Sequence, residues 1–216
     1  MLSHAHARRV YDRIGSLQDS QAFYEDPATD VLLQHGRFSS ARHLFEFGCG
    51  TGRLAARLLS DHVSTDGTYR GVDLSPEMIR LAQGRLAPFG ARAEAELTDG
   101  GPPLGEPSAA YDRFISTYVL DLLPEDEIAV VLREAGRILG PGGLLCLCGL
   151  SSGSGLVSRT VAKAWTMLHG LSPALVGGCR PIELLDQVAS DGWRILHHRR
   201  LAPFAIPSEV LVAERA

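Results

Sequence analysis

One stretch constrains this chain more than any other: His43-Leu44-Phe45-Glu46-Phe47-Gly48-Cys49-Gly50-Thr51-Gly52-Arg53-Leu54. An apolar strand ends in an acid, and a turn with glycines at 48, 50 and 52 follows. Next comes a helical segment, Thr51 to Ser60, with Leu54, Leu58 and Leu59 on one side. Glycines let backbone and ligand approach closely, and the helix N-terminus beside them presents unpaired N–H groups. Asp73 ends the next apolar run, 21 residues beyond Gly52, where a Rossmann-type fold sets a carboxylate against ribose hydroxyls. Strand, glycine turn, helix, strand and acid together imply a nucleoside-cofactor site.

Apolar runs and turn signals alternate on either side of this motif. His43 to Phe47, Thr68 to Asp73, Ala91 to Leu97, Tyr111 to Ser116 and Gly143 to Gly149 read as strands. Ser75-Pro76-Glu77 opens a helix to Leu86 as N-cap and first-turn proline. Pro124 to Leu139 is the clearest helix, with an acidic first turn at Glu125, Asp126 and Glu127 and a stop at Gly140-Pro141-Gly142-Gly143. Such alternation predicts parallel βαβ units. After a helix from Pro181 to Ser190, Trp193 to Leu201 and Glu209 to Ala213 lack room for a crossover helix and should pair antiparallel. The expected fold is α/β, a Rossmann-like, mostly parallel sheet of seven strands with an antiparallel C-terminal hairpin and helices on both faces.

A dinucleotide fingerprint reads G-x-G-x-x-G, whereas position 53 here is Arg and the third glycine is displaced to 52. The segment Glu46-Phe47-Gly48-Cys49-Gly50-Thr51-Gly52 resembles the first motif of class I S-adenosylmethionine-dependent methyltransferases. Gly71-Val72-Asp73-Leu74-Ser75-Pro76-Glu77-Met78-Ile79, Thr98-Asp99-Gly100, Tyr111-Asp112-Arg113-Phe114-Ile115-Ser116 and Leu139-Gly140-Pro141-Gly142-Gly143 resemble later segments of that family in order. The last has Gly where the family usually has Lys. The pattern is most similar to the menaquinone- and ubiquinone-type and phospholipid methyltransferases, over roughly residues 44–150.

The resemblance implies S-adenosyl-L-methionine as cofactor. It gives Glu46 and the backbone of Gly48, Cys49, Gly50, Thr51 and Gly52 the methionine end, and Asp73 the ribose. Leu74 and Met78 would flank the adenine, Asp99 would take its amino group, and Ser116 with Thr117 would border the sulfonium. Val10-Tyr11-Asp12 resembles a short aromatic-acid segment near the start of the lipid and quinone relatives, which would bring Tyr11 to the sulfonium. Plainer roles stay open: Asp99 lies in a good turn sequence, and Met78 suits a helix core.

Length and composition suit one domain: residues 1–40 as an N-terminal helical lid, 41–150 as the cofactor core, 151–180 as an acceptor-side cap and 181–216 as helix and hairpin. Within the first part, Pro27 suits the first turn of a second helix towards His35. A net charge of −4 without a basic run argues against nucleic acid as partner. The start of the chain lacks the apolar core of a secretory signal and no run is long enough to span a bilayer, so a cytoplasmic enzyme is expected. Cys49, Cys146, Cys148 and Cys179 lack metal-ligand spacing.

Methyl transfer needs no metal. If the acceptor must lose a proton, Asp121 and His169 are the candidate bases, against roles as helix cap and surface residue. The acceptor, a small molecule or lipid-like compound, should meet the N-terminal appendage and Leu156 to Gly178. There Val157, Val161, Trp165 and Leu168 recur at helical spacing, which predicts a helix packed on the core, with an acceptor wall or membrane contact as other readings. Two other functions stay open: a non-catalytic S-adenosylmethionine-binding module, and a nicotinamide-dependent oxidoreductase. A Tyr-x-x-x-Lys pair is absent, since position 159 is Arg and Lys163 is the only lysine.

Overall fold

The computed structural model describes residues 3–189 and 192–215. Seven strands form one sheet in the order β3-β2-β1-β4-β5-β7-β6: β1 (His43–Phe47), β2 (Thr68–Asp73), β3 (Ala93–Leu97), β4 (Tyr111–Thr117), β5 (Leu139–Leu150), β6 (Trp193–Leu201) and β7 (Ser208–Arg215). The first five run parallel, while β7 lies antiparallel to both β5 and β6. The chain lays β2 and β3 on one side of β1 and then returns to place β4 on the other. This switch point opens a crevice at the C-terminal ends of β1 and β4, where doubly wound sheets bind ligands.

Two apolar layers cover the sheet. One holds α2 (Ala22–His35), α3 (Arg53–Arg57, continued by a π turn to His62) and α4 (Pro76–Leu86) through Leu32, Leu58, Ile79 and Ala82. The other holds α5 (Glu125–Ile138) and α7 (Leu184–Ala189) through Ile128, Leu132, Leu184 and Val188. Ser75 caps α4 by accepting the Met78 N–H, and the acidic first turn of α5 stands without a side-chain cap. Of the helix expected over 181–190, residues 184–189 are helical, and Ser190 lies outside the described residues.

Two local expectations are corrected. Pro27 sits inside α2, because the 3-10 turn Gly15–Gln21 runs into a helix that has already begun at Ala22. The helix α6 (Leu156–Leu171) buries the stripe Val157, Val161, Trp165, Leu168 only in part: Val161 and Trp165 are half-buried, Trp165 against the core. Ser158 and Ala162 are its buried residues, and Val157 is left 68% and Leu168 45% exposed. The N-terminal helix α1 (His4–Ile14) lies over the crevice beside α4, whereas α2 belongs to the core, with Leu32 fully buried.

Candidate active site

The glycine turn follows β1 because its backbone needs conformations that side chains resist. Gly48, Gly50 and Gly52 have φ of +79°, +52° and +75°. Each glycine serves differently. A Cβ on Gly48 would collide with Val119 at 2.2 Å, and one on Gly52 would press on the α4 backbone at Ala82 at 3.0 Å, so these two make room for packing. A Cβ on Gly50 would meet nothing within 4 Å. The open space beside Gly50 is the cradle itself.

Asp73 ends β2 facing that cradle. Its carboxylate accepts the N–H of Gly50 (3.0 Å) and of Ser75 (2.9 Å), locking the glycine turn to the start of α4. The carboxylate keeps lone-pair capacity for a further donor. Glu46 is 1% exposed beneath the turn and accepts the Tyr69 hydroxyl. Burial drives its pKa up to about 8, and burial likewise lifts Glu25 on the same cavity to about 7. Asp73 is raised as well, by the same cause. The arginines on the rim are already committed, Arg53 to Glu25 and Asp26, and Arg57 to Asp26 and Asp30. Buried acids with so little compensation favour a cationic ligand.

The cavity, about 130 Å³, is lined by Tyr11, Glu46, Gly48, Cys49, Gly50, Thr51, Asp73, Leu74, Met78 and Thr117 of the residues singled out from sequence. Gly52, Asp99 and Ser116 are not on its wall. Ser116 is fully buried and donates to the Phe47 carbonyl, tying β4 to β1. Asp99 is exposed, while its neighbours Thr98 and Gly100 face the cavity. Sequence reasoning missed His4, Gln18, Asp19, Glu25 and Tyr118. Only Tyr118 had a local signal, as the residue after β4, and it adopts a left-handed φ of +56°, a strain that clusters at functional sites.

Residues 4–21 form a strap bolted around the rim. His4 bonds Glu127 at the start of α5 (2.9 Å), and Asp12 accepts the Ser75 hydroxyl (2.6 Å). Asp19 accepts from both Thr51 and Arg85 (2.6 Å each). A second cavity of about 640 Å³ lies between α1 and α6, and Tyr11 and Gln18 stand on the walls of both. Beside them Asp121 is fully buried, its Oδ2 accepting the Leu150 N–H (3.1 Å) and its Oδ1 without a partner. Burial raises it to about 7. It does not cap α5, whose N-cap is Pro124. His169, on α6, faces neither cavity and has its pKa lowered by burial.

The chain is similar to known proteins in sequence and in fold. Residues 44–143 match the methyltransferase domain family. An uncharacterized methyltransferase of Bacillus thuringiensis (strain Al Hakam) is 32% identical over 139 residues, 62% of this chain and 59% of that protein. The chain's match thus spans less than two thirds of that relative's length. Among solved structures, the [4+2]-cyclase SpnF is similar with a TM-score of 0.76 at 17% identity, covering 99% of this chain and 97% of that one. The cyclopropane synthase MmaA2 from Mycobacterium tuberculosis has a TM-score of 0.72 at 15% identity, covering 99% of each. These two, a cyclase and a cyclopropane synthase by name, share the fold, so fold alone does not set the reaction. Motif order, sheet order and family match converge: residues 44–143 match a methyltransferase domain, and together these features support a class I S-adenosylmethionine-dependent methyltransferase.

Proposed function

We propose that this chain binds S-adenosyl-L-methionine in the cavity beside Gly50 and transfers its methyl group to a small-molecule or lipid-like acceptor held in the second cavity. The observation that carries the reading is the open cradle at Gly50, walled by Asp73 and Glu46 and short of uncommitted cations. Asp73 accepts the ribose hydroxyls, the peptide N–H groups of the turn and Glu46 hold the methionine end, and Leu74 with Met78 flanks the adenine. The bound cofactor supplies an activated methyl group on a cationic sulfur.

The chain's own contribution is alignment and exclusion of water. Tyr11, on both cavity walls, gives the cation an aromatic face, an attraction of about 0.5–2 kcal/mol. The first cavity is smaller than the about 300–1,000 Å³ usual for small-molecule sites, so the 4–21 strap acts as a lid that opens for the cofactor and closes for turnover. Asp121, electrostatically coupled to Tyr11 and Cys179, is the candidate base if the acceptor must shed a proton. Four free cysteines suit work in a reducing cytoplasm.

The test is release of S-adenosylhomocysteine on mixing the protein, S-adenosylmethionine and candidate acceptors. Product formation that requires Gly50 supports transfer. Tight S-adenosylmethionine binding with no product from any acceptor class would assign the chain to a non-catalytic module instead.

A further inference from the structure

The acceptor-side face differs in charge and polarity from the rest of the molecule. From Ser151 to Ile182 the sequence has Arg159, Lys163 and Arg180 and not one carboxylate, in a chain of net charge −4. At 100° per residue, Leu156, Val157, Ala164, Met167, Leu168 and Leu171 share an arc of about 120° on α6. That arc points outward: Leu156 is 87%, Met167 71% and Leu171 79% exposed. Arg159 and Lys163 border it, also exposed.

Next to α6, the turn between β6 and β7 holds Phe204 at φ +51°, a strained conformation for an aromatic residue, with its ring 76% exposed. Its ring meets Phe23 edge-on at 5.4 Å, extending the apolar patch. On the neighbouring α1, Arg9 and Arg13 lie on the wall of the second cavity, and neither has an ion-pair partner among the described residues.

We propose that the outer arc of α6 and the Phe204 turn dock on an anionic lipid bilayer, setting the second cavity beside the membrane. An apolar arc bordered by cations is the pattern of helices that lie in a bilayer interface. Among the described residues no helix is long and apolar enough to cross a membrane, so the contact is with the surface. A second copy of the chain fits less well, because an isologous contact would gather Arg159 and Lys163 of both copies into one interface that has no carboxylate between Ser151 and Ile182 to pair with them. The proposal goes beyond methyl transfer and is read without turnover, so the two fail separately.

The experiment is flotation of the full chain with vesicles of phosphatidylcholine alone and mixed with phosphatidylglycerol. The protein should float with the mixed vesicles and be released by salt. Arg159→Glu with Lys163→Glu should weaken partition about tenfold or more, and so should Met167→Asp with Leu171→Asp. These side chains are exposed, and an unchanged melting curve shows that each variant is folded. A wild-type protein that ignores phosphatidylglycerol, or variants that bind as well as wild type, would overturn the proposal. So would a dimer, seen by sedimentation, that the same substitutions dissolve, since the face would then belong to a second copy.

Discussion

The cofactor half and the acceptor side of this molecule are built on opposite terms. Around Gly50 the backbone is locked: Asp73 bonds the turn and the start of α4, Ser116 ties two strands, and the cavity collects carboxyl groups. Between α1 and α6 the walls are Arg9, Arg13, Trp165 and Gln21, on helices that bury few of their residues. The difference teaches that, on the proposed function, the first cavity is preorganised for a fixed ligand, while the second is a looser chamber whose ligand would be set by charge and apolar area.

The largest expected effect breaks the cofactor half outright. Gly50→Val should abolish S-adenosylhomocysteine binding in thermal-shift measurements, because the side chain fills the open space beside the turn and a β-branched residue resists its φ of +52°. Normal binding would move the ligand elsewhere. Asp73→Ala should weaken binding by about 1–3 kcal/mol, the range for hydrogen bonds to a charged group. Its carboxylate also pins Gly50 and Ser75, so the turn should loosen too, giving faster amide exchange at Gly50. An unchanged affinity would remove Asp73 from the ribose.

A third test uses pH. Glu46 in the fold titrates near 8 and Glu25 near 7, whereas unfolded glutamates lose their protons near about 4.3. The unfolded chain therefore sheds protons first as pH rises, and stability should fall between about pH 5 and 8. The ligand-free melting temperature should drop over that window, less steeply in Glu46→Gln, and the stabilisation by S-adenosylhomocysteine should grow. A flat profile would mean these acids are not buried uncompensated.

The mildest test concerns the strap. Asp19→Ala removes the bond to Thr51 and the pair with Arg85, a partly exposed contact. Dissociation of S-adenosylhomocysteine in stopped flow should quicken several-fold with little change in melting temperature, because α2 stays seated. Deleting residues 1–21 should lower turnover more. An unaltered rate in both would make the strap a structural brace.

The sequence was most legible where structure is local. Strands β1, β2 and β6 run between the residues expected, and Ser75 caps α4 as its Ser-Pro-Glu signal implies. The 48–52 turn was readable because only glycine tolerates that path. Contacts that join distant segments were not readable: nothing in Asp19 announces Thr51 and Arg85, and nothing in Glu25 announces Arg53. Gly52 and Ser116 carry family-motif positions but face packing rather than the cavity. The apolar stripe of α6 has core-like spacing, and periodicity does not say which side of a helix meets water.

The most direct measurement is calorimetric titration of the folded protein at pH 8 with S-adenosylhomocysteine and, separately, with NADH. The site described here should bind S-adenosylhomocysteine saturably at one site per chain, with proton release as the ligand's ammonium draws down the raised pKa of Glu46, and should ignore NADH. Saturable NADH binding, or no heat from S-adenosylhomocysteine with a folded protein, would contradict it.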